Sequence, residues 1–187
     1  MIVVTFDLET TGLLEDPTAR PVEIGAVRHN LDTGEVLGTF SSFLRPDKMF
    51  LDSAKFALCK RISGIEKEDV VNANDFKDVL FDFVSWVGDD LIYSWNLPFD
   101  QRMLARLFSD LADNRIFDES SLHYAGCWQH FYTFMHPDRA GRTLSGQLKR
   151  ISLSRAMLYE GVDTKQSHRA LSDAHYAARM GQIIYKK

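Results

Sequence analysis

Ile2-Val3-Val4-Thr5-Phe6-Asp7-Leu8-Glu9-Thr10-Thr11-Gly12 is the stretch that decides the fold. Residues 2–6 are apolar and rich in β-branched side chains, which predicts a central strand. Thr10-Thr11-Gly12 supplies the turn that ends it. Side chains alternate along a strand, so Asp7 and Glu9 share one face while Phe6 and Leu8 point to the other. The two acids stand ~7 Å apart along the strand. Burying carboxylates is costly unless a cation or hydrogen bonds compensate them. A divalent metal site is the economical explanation, since hard cations take oxygen ligands. The competing reading makes Asp7 a turn residue and Glu9 a helix-start residue. The strand character of residues 2–6 weighs against it.

Working outward, residues 22–27 read as a second strand. Asp32-Thr33-Gly34 is a turn signal, and residues 36–44 follow as a third strand. Short turns between the three make an antiparallel meander. Residues 45–74 read as irregular, with short helices around 54–60 and 66–70. Phe76, Val79, Leu80, Phe83, Val84 and Val87 share a helical face over 75–87. Asp89-Asp90 ends that helix, and residues 91–95 read as a fourth strand. Pro98 suits the start of a helix over 99–111. Ile116-Phe117 is a candidate fifth strand. The aromatic run 122–135 reads as helical, 136–142 as a basic loop, 143–151 as a short helix and 169–185 as the last helix. The order β-β-β-α-β-α-β-α predicts an α/β fold, a mixed sheet with helices on its faces.

The chain has 187 residues, 45% of them hydrophobic and 26% charged, which fits one domain over 1–187 with a real core. No apolar run is long enough to span a bilayer. The apolar start is too short for a signal peptide and leads straight into Asp7, so a cytoplasmic protein is expected. Cys59 and Cys127 form no CxxC pair and read as free buried thiols. A net charge of −4 argues against coating duplex DNA through general electrostatics. It is compatible with a nucleic-acid enzyme, because bound cations restore the local balance.

Three further residues extend the acidic motif. Asp100, in Asn96-Leu97-Pro98-Phe99-Asp100, lies in the first turn of a helix that follows a strand. Helix charging explains such an acid as well as metal ligation does, although strand ends are where open α/β sheets place ligand chemistry. His168 and Asp173 lie five residues apart, about 140° around a continuous helix at ~3.6 residues per turn. Both can address one point only if Asp173 is helical and His168 sits on the loop or first turn before it. Imidazole titrates near ~6.5 when unperturbed, which suits a general base. A surface or capping histidine is the bland alternative.

Together these residues resemble the DEDDh (DnaQ-like) 3′→5′ exonucleases. Asp7-Leu8-Glu9-Thr10-Thr11-Gly12 is similar to the first motif, Asn96-x-x-Phe99-Asp100 to the second, and His168-x₄-Asp173 to the third in its histidine form. Val22-Glu23-Ile24-Gly25-Ala26 is also similar to the strand after the first motif. The resemblance spans essentially the whole chain. It implies a ribonuclease H-like, mixed five-stranded sheet: a three-strand antiparallel meander plus two parallel strands, flanked by helices. It implies two Mg²⁺ or Mn²⁺ ions held by Asp7, Glu9, Asp100 and Asp173, with His168 deprotonating the attacking water. The implied reaction removes 5′-mononucleotides from 3′ ends of single-stranded DNA or RNA, with DNA weighed slightly ahead. It also implies that Leu8, Thr10, Thr11 and Gly12 cradle the terminal nucleotide. Asn96 and Phe99 would wall that pocket, although Phe99 fits the core equally well.

The segment 123–142 matches no motif. His123, Cys127 and His130 fall on one helical face, which makes a structural zinc conceivable; a packed aromatic helix explains the same residues. His136, Arg139, Arg142, Lys149, Arg150 and Arg155 form the densest basic stretch, either a guide for a phosphate backbone or a solvated face. On the first reading, replacing Arg139 and Arg142 raises KM. Two other functions stay open: a catalytically silent nucleic-acid-binding or scaffold protein, and a ribonuclease H-like endonuclease. Homodimers occur among relatives, but nothing in the sequence identifies an interface. Association with a polymerase is conceivable, and no long tail after the last helix supplies a tether.

Overall fold

A computed structural model describes residues 1–45, 51, 54–111, 119–163 and 168–187. Five strands form one sheet: β1 (Ile2–Thr10), β2 (Pro21–Asn30), β3 (Val36–Phe43), β4 (Leu91–Ser94) and β5 (His123–Cys127). Their spatial order is β3-β2-β1-β4-β5. The first three make the antiparallel meander, with Asp7 opposite Gly25 and Glu9 opposite Glu23. β4 lies parallel to β1 and β5 parallel to β4. The α/β fold with a mixed five-stranded sheet is therefore the one expected.

Alternation along β1 divides the molecule into two layers. Val4, Phe6 and Leu8 enter a core with Ile24 and Ala26 of β2 and helices α3 (Phe76–Val87) and α4 (Leu97–Asp110). Asp75 caps α3 by accepting a hydrogen bond from the Lys77 backbone N–H at 3.0 Å. On the opposite face Val3 joins a second core with Trp128, Tyr132, Met157, Met180 and Ile184. That layer is built by α5 (Trp128–Met135), α7 (Leu153–Tyr159) and α8 (Ala170–Tyr185). Short helices α1 (Ala54–Ser63), α2 (Lys67–Val71) and α6 (Pro137–Ala140) complete the shell.

The last helix packs against β1 and β2 through small residues, Ala170, Ala174, Ala177 and Ala178. Gly25 permits the closest approach: a Cβ there would lie 2.1 Å from the Leu171 backbone nitrogen. This contact brings the start of α8 over the acidic edge of β1.

Two expected elements differ. The fifth strand is His123–Cys127, where the aromatic run predicted helix from 122. Parallel pairing with β4 outweighs the local helical pattern, and helix begins only at Trp128. The candidate strand Ile116-Phe117 lies outside the described residues. The helix expected over 143–151 is instead a set of turns closed by an antiparallel bridge between Arg142 and Leu148. The helix comes later, where Ser152 caps α7. Among the described residues, no helix is long and apolar enough to cross a membrane.

Candidate active site

The two acids of β1 and one from α8 meet where the sheet layer and the last helix converge. Asp7 and Glu9 project toward α8, and Asp173 lies in its first turn. One carboxylate oxygen from each of the three lies within 4.8 Å of the others. Asp100 sits in the first turn of α4, just beyond the C-terminal end of β4, and is buried. Its Oδ2 accepts a 2.5 Å hydrogen bond from Ser94 Oγ at the end of β4, so the strand orients the acid on the helix that follows it.

The electrostatics are those of crowded, poorly hydrated acids. Burial holds the Asp7 carboxyl well above the ordinary range, and Asp100, Glu9, Asp173 and Glu23 push the same way. Glu9 is raised to about 8, first by burial and then by Asp173, Glu23 and Asp100, with Arg169 opposing. Asp100 is raised by burial against the opposing Ser94 hydrogen bond. A cation bound among these acids would offset both the burial and the mutual repulsion that raise them. Its donors are all carboxylate oxygens, the set that suits a hard divalent metal. Asp7, Glu9 and Asp173 thus form a candidate site for a divalent ion.

His168 lies on the loop two residues before α8, with its side chain exposed. Its φ is +47°, a left-handed conformation rarely adopted by a non-glycine residue. That departure from the helix removes the angular conflict between His168 and Asp173.

The expected pocket residues divide by role. Leu8 faces the core, so its backbone alone is available to a ligand. Thr10 Oγ1 donates to the Gly12 carbonyl at 2.9 Å, and buried Thr11 Oγ1 accepts from the Arg20 N–H at 2.9 Å. Both hydroxyls shape the turn. Asn96 stands at the N-cap of α4, where its Oδ1 accepts a 3.4 Å hydrogen bond from Arg150. Phe99 is half-buried against the core of α3 and α4.

The zinc alternative fails on geometry. His123 and Cys127 belong to a strand and His130 to the helix after it, so they share no helical face. Cys127 Sγ donates instead to the Trp95 carbonyl at 3.1 Å. The basic stretch is likewise divided. Arg139 pairs with Glu160 at 3.0 Å and lies over the Tyr159 ring. Arg142 donates to the Gly146 carbonyl at 2.6 Å. Arg150 reaches Asn96 beside the site.

Sequence reading assigned no role to Ser94 or Glu23. Ser94 carries no signal beyond its place at a strand end. Glu23 does: it is an acid inside the apolar strand Val22-Glu23-Ile24, and it is buried. Both its oxygens are taken up by Arg169.

The chain matches the exonuclease family RNase_T over residues 4–180. It belongs to that family. The PolC-type DNA polymerase III of Bacillus subtilis is 27% identical over 182 residues, covering 94% of this chain and 11% of the polymerase. The chain thus spans about one ninth of that curated relative's length. Among solved structures, E. coli exonuclease I in complex with a dT13 oligonucleotide superposes with a TM-score of 0.74 at 16% identity, over 98% of this chain and 40% of that one. The nuclease domain of 3′hExo, a DEDDh family member bound to rAMP, superposes with a TM-score of 0.72 at 18% identity, over 99% and 92% respectively.

Proposed function

We propose that this chain is a metal-dependent 3′→5′ exonuclease that shortens single-stranded nucleic acid to 5′-mononucleotides. The convergence of Asp7, Glu9 and Asp173, with Asp100 behind them and His168 on the adjoining loop, carries the reading. The proposed cofactor is a pair of Mg²⁺ or Mn²⁺ ions held by the four carboxylates. Bound there, the ions would supply a nucleophile at neutral pH and stabilise charge on the attacking and leaving oxygens.

The protein's own groups divide the remaining work. Ser94 orients Asp100 through its 2.5 Å hydrogen bond. Exposed His168 accepts the proton from the attacking water and passes it to solvent. The backbone of residues 8–12 lines the place of the terminal nucleotide, with Asn96 and the edge of Phe99 on the other side. A small pocket of this kind admits an unpaired end, so a single strand is the proposed substrate. The dT13 complex of E. coli exonuclease I supports DNA, and rAMP in 3′hExo supports RNA. DNA is placed slightly first. The proposed unit is one catalytic domain over 1–187, acting in the cytoplasm, where its two buried free thiols stay reduced. Neither a second copy nor a polymerase is invoked.

The test is hydrolysis of matched 5′-labelled DNA and RNA oligomers with Mg²⁺, Mn²⁺ or EDTA. The expected result is a ladder shortening from the 3′ end that EDTA abolishes and Asp7→Asn eliminates. Binding without cleavage would favour a silent nucleic-acid-binding protein. Cleavage of circular single strands would replace the reading with an endonuclease.

A further inference from the structure

Glu23 is a fifth carboxylate beside the four of the active site. It faces Glu9 in the β1–β2 register and is only 2% exposed. An acid in that position costs stability, and its charge raises both Asp7 and Glu9. The fold retains it together with a dedicated set of donors. Arg169 Nε lies 3.1 Å from each Glu23 oxygen, and Nη2 lies 2.8 Å from Oε1. The Ala170 backbone N–H donates to Oε2 at 3.1 Å. Glu23 therefore satisfies one of the open N–H groups at the start of α8 from a different element, the second strand. The Arg169 guanidinium also lies over the Phe43 ring at 5.1 Å.

We propose that Glu23 is a positioning residue: by clamping Arg169 and the Ala170 N–H it fixes the backbone from which His168 is presented to the acidic cluster. This inference rests on the exonuclease reading above. His168 immediately precedes the clamped residues and holds φ at +47°. Such a conformation is uncommon for a non-glycine residue, and the clamp at 169–170 constrains the backbone that follows it. With three N–H groups on its two oxygens, Glu23 serves as an anchor for α8 and not as a fifth metal ligand. A planar two-pronged guanidinium is required, because a lysine ammonium cannot span both oxygens in the same way.

Two readouts test it. In the metal-free protein, amide hydrogen exchange reports the clamp directly. Glu23→Gln should speed exchange at Ala170 by about tenfold and leave the β1 amides unchanged. Unchanged Ala170 exchange would overturn the clamp. In the metal-loaded enzyme, Glu23→Gln should lower kcat by about 10–100-fold with KM held within about threefold. Combined with His168→Ala, it should add no further loss, because the two act through one step. A loss carried in full into the His168→Ala background would show that Glu23 acts as a ligand or a general support, and would overturn the proposal. Arg169→Lys, which keeps the charge and removes the fork, should behave like Glu23→Gln and serves where that variant fails to fold. A wild type inactive on 3′ ends would refute the exonuclease reading itself, while the exchange readout still decides the clamp. Undiminished turnover in His168→Ala would remove His168 from the mechanism and this proposal with it.

Discussion

Gly25 on β2 lies directly beneath Leu171 on α8, so close that an added Cβ would stand 2.1 Å from the Leu171 nitrogen and 2.3 Å from the Ala170 carbonyl carbon. Both neighbours are backbone, so the clash cannot be relieved by rotating a side chain. Gly25→Ala must lift the start of α8, and with it Asp173 and His168. A destabilisation of about 3 kcal/mol is expected, or roughly 6–12 °C in Tm for a chain of this size, together with loss of hydrolysis. Gly38→Ala is the control, because its Cβ would meet the Trp86 ring at an ordinary 3.8 Å. Equal melting temperatures for the two variants would refute the close-contact argument.

Glu160 gathers Tyr132 at 2.8 Å, Arg139 at 3.0 Å and Lys187 at 2.8 Å. Partial burial would raise its carboxyl, but the hydrogen bonds from Lys187, Tyr132 and Arg139 win and hold it down to about 2. A depressed carboxylate stabilises the fold above its ordinary value of 4.5, and that contribution is lost as pH falls toward about 2. Glu160→Gln should therefore cost on the order of 2 kcal/mol at neutral pH and little at pH 2. Melting curves across that window check it. A penalty independent of pH would assign the effect to packing.

The two layers were legible because β1 writes them in alternation: Val4, Phe6 and Leu8 enter one core, and Asp7 and Glu9 turn away from it. The acids were legible because a strand has little other use for them. What local pattern could not supply was partnership at a distance. His123, Tyr124 and Cys127 sit at spacings that suit a helix, and only pairing with β4 makes them a strand. Arg139 and Arg150 are equivalent in sequence, eleven residues apart in one basic stretch. Folding gives the first to Glu160 and the second to Asn96. Glu23 was visible as an acid in an apolar strand, yet its meaning depends on Arg169, 146 residues away.

The raised carboxyls predict how metal and pH interact. A carboxyl raised in the folded state adds stability below its unfolded value, and that stability is lost as pH rises through the folded value. For Glu9 this window runs from 4.5 to about 8. The metal-free protein should accordingly lose stability between pH 5 and 8, as ionisation leaves buried charges that also repel one another. Mg²⁺ should restore it, with a larger rise in Tm at pH 8 than at pH 6. Asp7→Asn should flatten the metal-free pH dependence and abolish the Mg²⁺ effect. A Mg²⁺ shift independent of pH, or retained in Asp7→Asn, would count against this site.

Arg150 is a basic residue that the fold delivers to the site edge, where it reaches Asn96 at the N-cap of the helix carrying Asp100. Among the described residues it forms no ion pair, in contrast to Arg139, so its charge is available to a backbone phosphate. Arg150→Ala should raise KM for a single strand by about 3–10-fold with kcat little changed, and reduce the slope of log KM against log salt by about one phosphate contact. Arg139→Ala, expected from sequence to act on KM, should instead lower Tm and leave KM unchanged, because its guanidinium is committed to Glu160 and Tyr132. Steady-state kinetics at several salt concentrations, beside thermal melts, separate the two. If Arg139→Ala altered the salt slope and Arg150→Ala did not, the path of the strand would run along α6 and away from Asn96.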